Sequence, residues 1–101
     1  MVPVPFTDNK NHKVRPALVL SDEQVHSTGD VLIVQITSKW KNDKLSIEID
    51  ANDVISPLPV KSYIRCHKIF VLEQNLVIEK VSVLKLQKYK EVVKRINQII
   101  E

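Results

Sequence analysis

The chain contains one cysteine, one glycine, one tryptophan, two tyrosines and two phenylalanines among its 101 residues. A lone Cys66 cannot close an internal disulfide, which fits a reducing cytoplasm. Its apolar and basic neighbours predict a packed thiol rather than a nucleophile. No apolar run approaches the roughly 18 residues that a bilayer demands, so no membrane span is expected. The opening residues carry neither a basic stretch nor a long apolar one, so no secretory leader is expected. A single glycine leaves no Gly-rich phosphate loop and no Gly-x-Ser-x-Gly nucleophile elbow. His12, His26 and His67 are scattered without paired ligand spacing, and no acidic pair resembles a two-metal centre. Neither a metal nor another cofactor is therefore expected.

What remains is a chain of ordinary globular composition, with 44% hydrophobic and 27% charged residues. Its length predicts one domain over residues 1–101 with one modest core. The formal charge is +3, but its distribution is uneven. Residues 80–101 hold six basic and two acidic groups, whereas residues 1–79 hold nine and ten. The excess lies on the C-terminal segment, so net charge says little about a polyanion partner. Arginine usage says more. There are three arginines against twelve lysines, and Arg15 and Arg65 both stand beside strand-like runs. The planar guanidinium suits phosphate in a way that the lysine ammonium does not.

The order of elements reads as strands followed by one helix. Residues 2–6 carry two prolines and predict an edge strand. Residues 8–11 form a polar turn cluster. The runs 17–20 and 31–36 are short, apolar and branched, as buried strands are. Residues 45–50 alternate cleanly, as a half-buried strand should. Residues 52–59 read as a loop, and 63–72 with 76–84 as two or three further strands, for six or seven in all. Gly29 marks a turn. From about residue 84 to 100 the apolar positions recur at three and four, which predicts an amphipathic helix with Ser82 as its N-cap. Its apolar face is expected to pack on the sheet.

Three segments end or begin with groups able to do chemistry: 15–21, 35–38 and 62–66. RNA can be cut without metal when its own 2′-hydroxyl attacks the adjacent phosphorus. That reaction needs a proton acceptor, a donor for the departing 5′-oxygen and donors for the charge of the phosphorane. Arginine meets the last need, and a threonine hydroxyl can position a phosphoryl oxygen or the nucleophile. The same residues also serve as surface ion pairs and strand formers, so the chemistry alone leaves both readings open.

At these residues the sequence resembles the MazF/PemK-like toxins of type II toxin–antitoxin systems. Val2 to Asp8 (VPVPFTD) is similar to the family's opening, Val14 to Ser21 (VRPALVLS) to its R-P-A/V-L-V segment, and Asp30 to Ser38 (DVLIVQITS) to its Q-I-T-S strand. Leu58 to Leu84 resembles its long S-x-x-R block. The resemblance implies a mainly β fold, an SH3-like small barrel of the CcdB/PemK type with a C-terminal amphipathic helix. It implies a metal-independent endoribonuclease, dimeric, cytoplasmic and without a cofactor, that cuts single-stranded mRNA and is blocked by a cognate antitoxin. Catalytic roles then fall on Arg15, Thr37, Arg65 and His67. Gln35, Ser38, Lys39, Trp40 and Ser62 would line the RNA path. Trp40, among lysines, suits stacking on an unpaired base, or capping of the core or a dimer interface.

The chain departs from the family pattern at four places. His67 stands where a carboxylate is usual, and imidazole is a competent base near neutrality. The first strand opens several residues late. The glycine before the helix is replaced by 81–84, and Val71 occupies a frequent threonine position. These departures keep a second reading in view, a catalytically silent barrel that only binds antitoxin or RNA. A gyrase poison of the CcdB type is disfavoured, because its terminal Trp-Gly-Ile is replaced here by Ile99-Ile100-Glu101.

Overall fold

The computed structural model describes residues 2–7, 12–56, 58, 60–77 and 82–100, with side chains from residue 16 onward. Strands β1 (Val2–Thr7), β2 (His12–Val19), β3 (Asp30–Thr37), β4 (Ser46–Ile49) and β5 (Ser62–Glu73) form one antiparallel sheet in the order β1-β2-β3-β5-β4. Helix α1 (Glu23–His26) joins β2 to β3, and α2 (Leu86–Ile100) ends the chain. The principal extents, 32 × 30 × 30 Å, are nearly equal. A flat sheet with one helix would be thinner in one direction, so the sheet curls around its core.

Strand β3 lies at the centre because its apolar residues serve both faces. Val34 and Ile36 point into a cluster with Leu18, Ile49, Ile64, Cys66 and the α2 residues Val92 and Ile96. Val31 and Ile33 point the other way, into a smaller cluster with Ala17. A strand buried on both faces reads as a near-continuous apolar run, which is the pattern of 31–36, broken only by Gln35. As the prolines of 2–6 predict, β1 is an edge. The turn cluster 8–11 lies outside the described residues.

Several expectations are corrected. Five strands are present among the described residues, not six or seven, because 62–73 is one continuous strand of 12 residues. The segment 76–84 supplies no strand there. It opens with a 3-10 turn at Gln74–Leu76 and contributes only the isolated bridge Val54–Leu84; residues 78–81 lie outside the described set. Helix α2 begins at Leu86 rather than 84, since the Lys85 carbonyl accepts the first helical bond, from Tyr89. Ser82 is not its cap. Its buried hydroxyl donates to the Ser56 carbonyl at 2.7 Å and accepts from the Ser56 amide at 3.1 Å, stitching two loops together. Helix α1 was not expected from 23–26. It forms because Asp22 caps it, accepting from the Gln24 amide at 3.0 Å. Gly29 follows it at φ +90°, a conformation that side chains disfavour.

Candidate functional site

The site is assembled by strand register. Ala17 of β2 pairs with Gln35 of β3. Counting two residues outward on each antiparallel strand brings Arg15 and Thr37 to the same end of the sheet. The backbone of Arg15 lies in β2, paired with Val4; its side chain lies outside the described residues. Thr37 pairs in turn with Tyr63 of β5, and Tyr63 with Glu48 of β4. One row across the sheet therefore holds Thr37, Tyr63 and Glu48. Two rows on, past Ile64 and Ile47, Arg65 stands opposite Ser46.

A break in register shapes the centre. Val34 pairs with Ile69 and Ile36 with Ile64, so β5 advances five residues while β3 advances two. Residues 65–68 form this bulge opposite Gln35. Bulges re-aim side chains and gather next to functional sites. Here the bulge carries both Arg65 and His67. Ile64 and Cys66 point into the core, so alternation sends Tyr63 and Arg65 to the opposite face. Cys66 is buried, and burial pushes its thiol pKa up, as a packed structural cysteine requires.

Arg65 is not open to a phosphate in this arrangement. One terminal nitrogen donates to Asp43 Oδ1 at 2.9 Å and to Ser46 Oγ at 2.7 Å; the other donates to Asp43 Oδ2 at 2.8 Å. The Arg65 side chain is 7% exposed and that of Asp43 38%. The guanidinium holds the Asp43 carboxyl well below its usual range, at about 2. Asp43 escaped sequence reasoning because nothing marks a loop aspartate 22 residues away as the partner of a strand arginine. His67 is exposed. Burial of its surroundings lowers its pKa, and the charges of Arg65 and Lys68 lower it further, which keeps the imidazole neutral near pH 7.

The remaining expected residues divide into open and closed. The Thr37 Oγ1 accepts from the Lys39 amide at 3.2 Å, which leaves its own hydroxyl proton free to donate outward. Gln35 is half-buried, whereas Ser38 and Lys39 are exposed. Trp40 is 55% exposed, so it does not cap the core; its ring contacts Tyr63 with centroids 5.3 Å apart. Ser62 is 3% exposed and its hydroxyl donates to the Val60 carbonyl at 3.0 Å. In this arrangement the Ser62 side chain is closed, unlike those of Ser38 and Lys39. Among the described residues, no group of three His, Cys, Asp or Glu side chains is arranged to hold a metal ion. No helix there is long and apolar enough to cross a membrane.

The fold recurs in solved toxin structures. The Mycobacterium tuberculosis toxin MazF-mt6 superposes with a TM-score of 0.75 at 18% identity, covering 96% of this chain and 92% of that one. A MazE–MazF structure from Deinococcus radiodurans gives 0.80 at 22%, covering 98% and 90%. An endoribonuclease in complex with its cognate antitoxin, from a mycobacterial species, gives 0.76 at 13%, covering 98% and 90%. No functionally curated protein matches the sequence significantly. At these identities the likeness speaks for the fold. The sequence itself matches the model of the PemK-like, MazF-like toxin of type II toxin–antitoxin systems over residues 1–100. The chain, with its mostly β architecture and C-terminal helix, therefore belongs to the PemK/MazF-like toxin family.

Proposed function

We propose that the protein is an endoribonuclease toxin that cuts single-stranded mRNA in the cytoplasm without a metal ion, as a homodimer held silent by a cognate antitoxin. The observation that carries this reading is the convergence of Arg15 and Thr37, by register, at one end of β2 and β3 in a chain of this family. In the proposed reaction the 2′-oxygen attacks phosphorus and the bond to the 5′-oxygen breaks. A 2′,3′-cyclic phosphate and a 5′-hydroxyl remain. His67, neutral at pH 7, takes the 2′-hydroxyl proton. Arg15 hydrogen-bonds the phosphorane and gives a proton to the departing 5′-oxygen, solvent then returning a proton to Arg15 and taking one from His67, and the Thr37 hydroxyl donates to a phosphoryl oxygen. Gln35, Ser38, Lys39 and Trp40 border the RNA.

Arg65 contributes in one of two ways. Either it exchanges Asp43 for the phosphate, or it acts through the loop that Asp43 anchors. The closed Asp43–Arg65 pair also favours a second reading, a barrel that binds RNA or antitoxin without cutting. Antitoxin binding finds support in the MazE–MazF and toxin–antitoxin structures that share the fold. The test is cleavage by Arg15→Ala and Thr37→Ala beside the wild type. Loss in both, with RNA binding retained, supports the enzyme. A wild type that binds RNA and leaves it intact supports the silent barrel.

A further inference from the structure

The loop between β3 and β4, residues 38–45, is tied down along its length. At its start the Trp40 and Tyr63 rings meet at 56° between planes with centroids 5.3 Å apart, a tilted geometry that aromatic pairs favour. Further along, Asp43 is gripped by both terminal nitrogens of Arg65. Next to it Lys44 sits at φ +64°, which is uncommon outside glycine. Its carbonyl accepts two bonds from Arg95 of α2, at 3.1 and 2.9 Å. Finally the Leu45 carbonyl accepts from the Cys66 amide at 2.9 Å. A loop whose only purpose was to connect two strands would not need an ion pair, an aromatic contact and a helix arginine. The large apolar side chain left open in this loop is Trp40, flanked by the exposed Lys39 and Lys41.

We infer that this loop is a preformed base-reading arm: Tyr63 holds the Trp40 indole through its tilted ring contact so that one unpaired nucleobase stacks on the exposed part of the indole, next to Thr37. Tyr63 is the positioning residue, and the Asp43–Arg65 and Lys44–Arg95 ties fix the arm before RNA arrives. The inference rests on the ribonuclease reading but adds to it a specific stacking site and a residue, Tyr63, that the sequence did not single out. The geometry supports it at three points. Tyr63 touches the indole through a tilted contact, and Trp40 stays 55% exposed, with surface to spare for a base. Lysines on both sides attract the phosphates that flank a stacked base. Tyr63 is the direct cross-strand partner of Thr37, so a base on Trp40 lies close to a phosphate held at Thr37. Preorganisation of this kind removes the ordering cost that a mobile loop would impose on binding.

Because the chain holds one tryptophan, its fluorescence reports on Trp40 alone. The probe is a set of 2′-O-methyl single-stranded oligonucleotides, which lack the nucleophile and stay intact. Each carries a label at one end, so that anisotropy measures binding independently. The expected result is binding with quenching of Trp40 fluorescence, and no quenching by an abasic oligomer of the same length. Tyr63→Leu weakens binding roughly ten-fold, the scale of one stacked base, and Tyr63→Phe restores it. Near-UV circular dichroism checks that the Tyr63→Leu variant keeps its packing. Anisotropic binding without quenching, or equal quenching by the abasic oligomer, overturns the reading arm and leaves the ribonuclease proposal standing. No binding by either signal overturns both.

Discussion

Arg65 and His67, two residues apart on one bulge, make separable predictions. The Asp43 carboxyl that grips Arg65 titrates at about 2 instead of its ordinary 3.8. A carboxyl with a depressed folded pKa contributes stability that is present above 3.8 and lost as pH falls through about 2. The loop therefore stays latched throughout the working range, and Asp43 imposes no pH dependence on activity there. His67 does. Its pKa is lowered below 6.5, so the base form is gained as pH rises through a value under 6.5 and the rate levels off above it. Cleavage rates between pH 5 and 8 check this. His67→Asn is expected to remove the acidic limb and to slow cleavage about 10²–10⁴-fold, the usual contribution of a general base. An unchanged profile in that variant assigns His67 no role in proton transfer. Asp43→Ala leaves a nearly enclosed guanidinium without its partner, and both the Tm and the cleavage rate are expected to fall. A differential-scanning melt beside a cleavage assay reads the two together.

At the scale of elements, α2 is the support on which the sheet closes. Val92 and Ile96 insert into the larger core cluster, Tyr89 donates to the Leu20 carbonyl at 2.9 Å, and Arg95 reaches the reading loop. Ile96→Ala is expected to cost about 2–5 kcal/mol, read as a lower urea midpoint with little change in slope. The helix was legible because its apolar positions recur at three and four, and β3 because Val31 to Ile36 is apolar except at Gln35. The helix starts at Leu86, two residues after the periodicity begins. Leu84 continues the same periodicity, but its backbone pairs with Val54 and its side chain joins the core. The described residues of 76–84 form no strand, only the isolated bridge at Leu84. The apolar, β-branched content of 76–84 is compatible with a strand, yet pairing depends on a free sheet edge that the local sequence does not specify. Catalytic candidates were legible as residue types beside strands. The Asp43–Arg65 pair and the Trp40–Tyr63 contact were not, since both join a loop to a strand over 20 residues distant, and only register brings them together.

For the molecule as a whole, the single thiol, Cys66, is buried in the core. Cys66 is expected to resist alkylation at pH 8 in the native state and to react fully in denaturant, as quantified by mass spectrometry. Fast native labelling would contradict the packing described for the centre of the sheet. The central claim is that a small β fold of the PemK/MazF-like family cuts RNA with its own side chains and the 2′-hydroxyl of the substrate. The measurement that tests it most directly mixes the purified protein with a long single-stranded RNA in excess EDTA, beside Arg15→Ala, and maps the chemistry of every new end. The account predicts cuts at selected sites, each leaving a 2′,3′-cyclic phosphate and a 5′-hydroxyl, absent in the variant. Intact RNA with a folded wild type, or cuts that persist unchanged in Arg15→Ala, would contradict it.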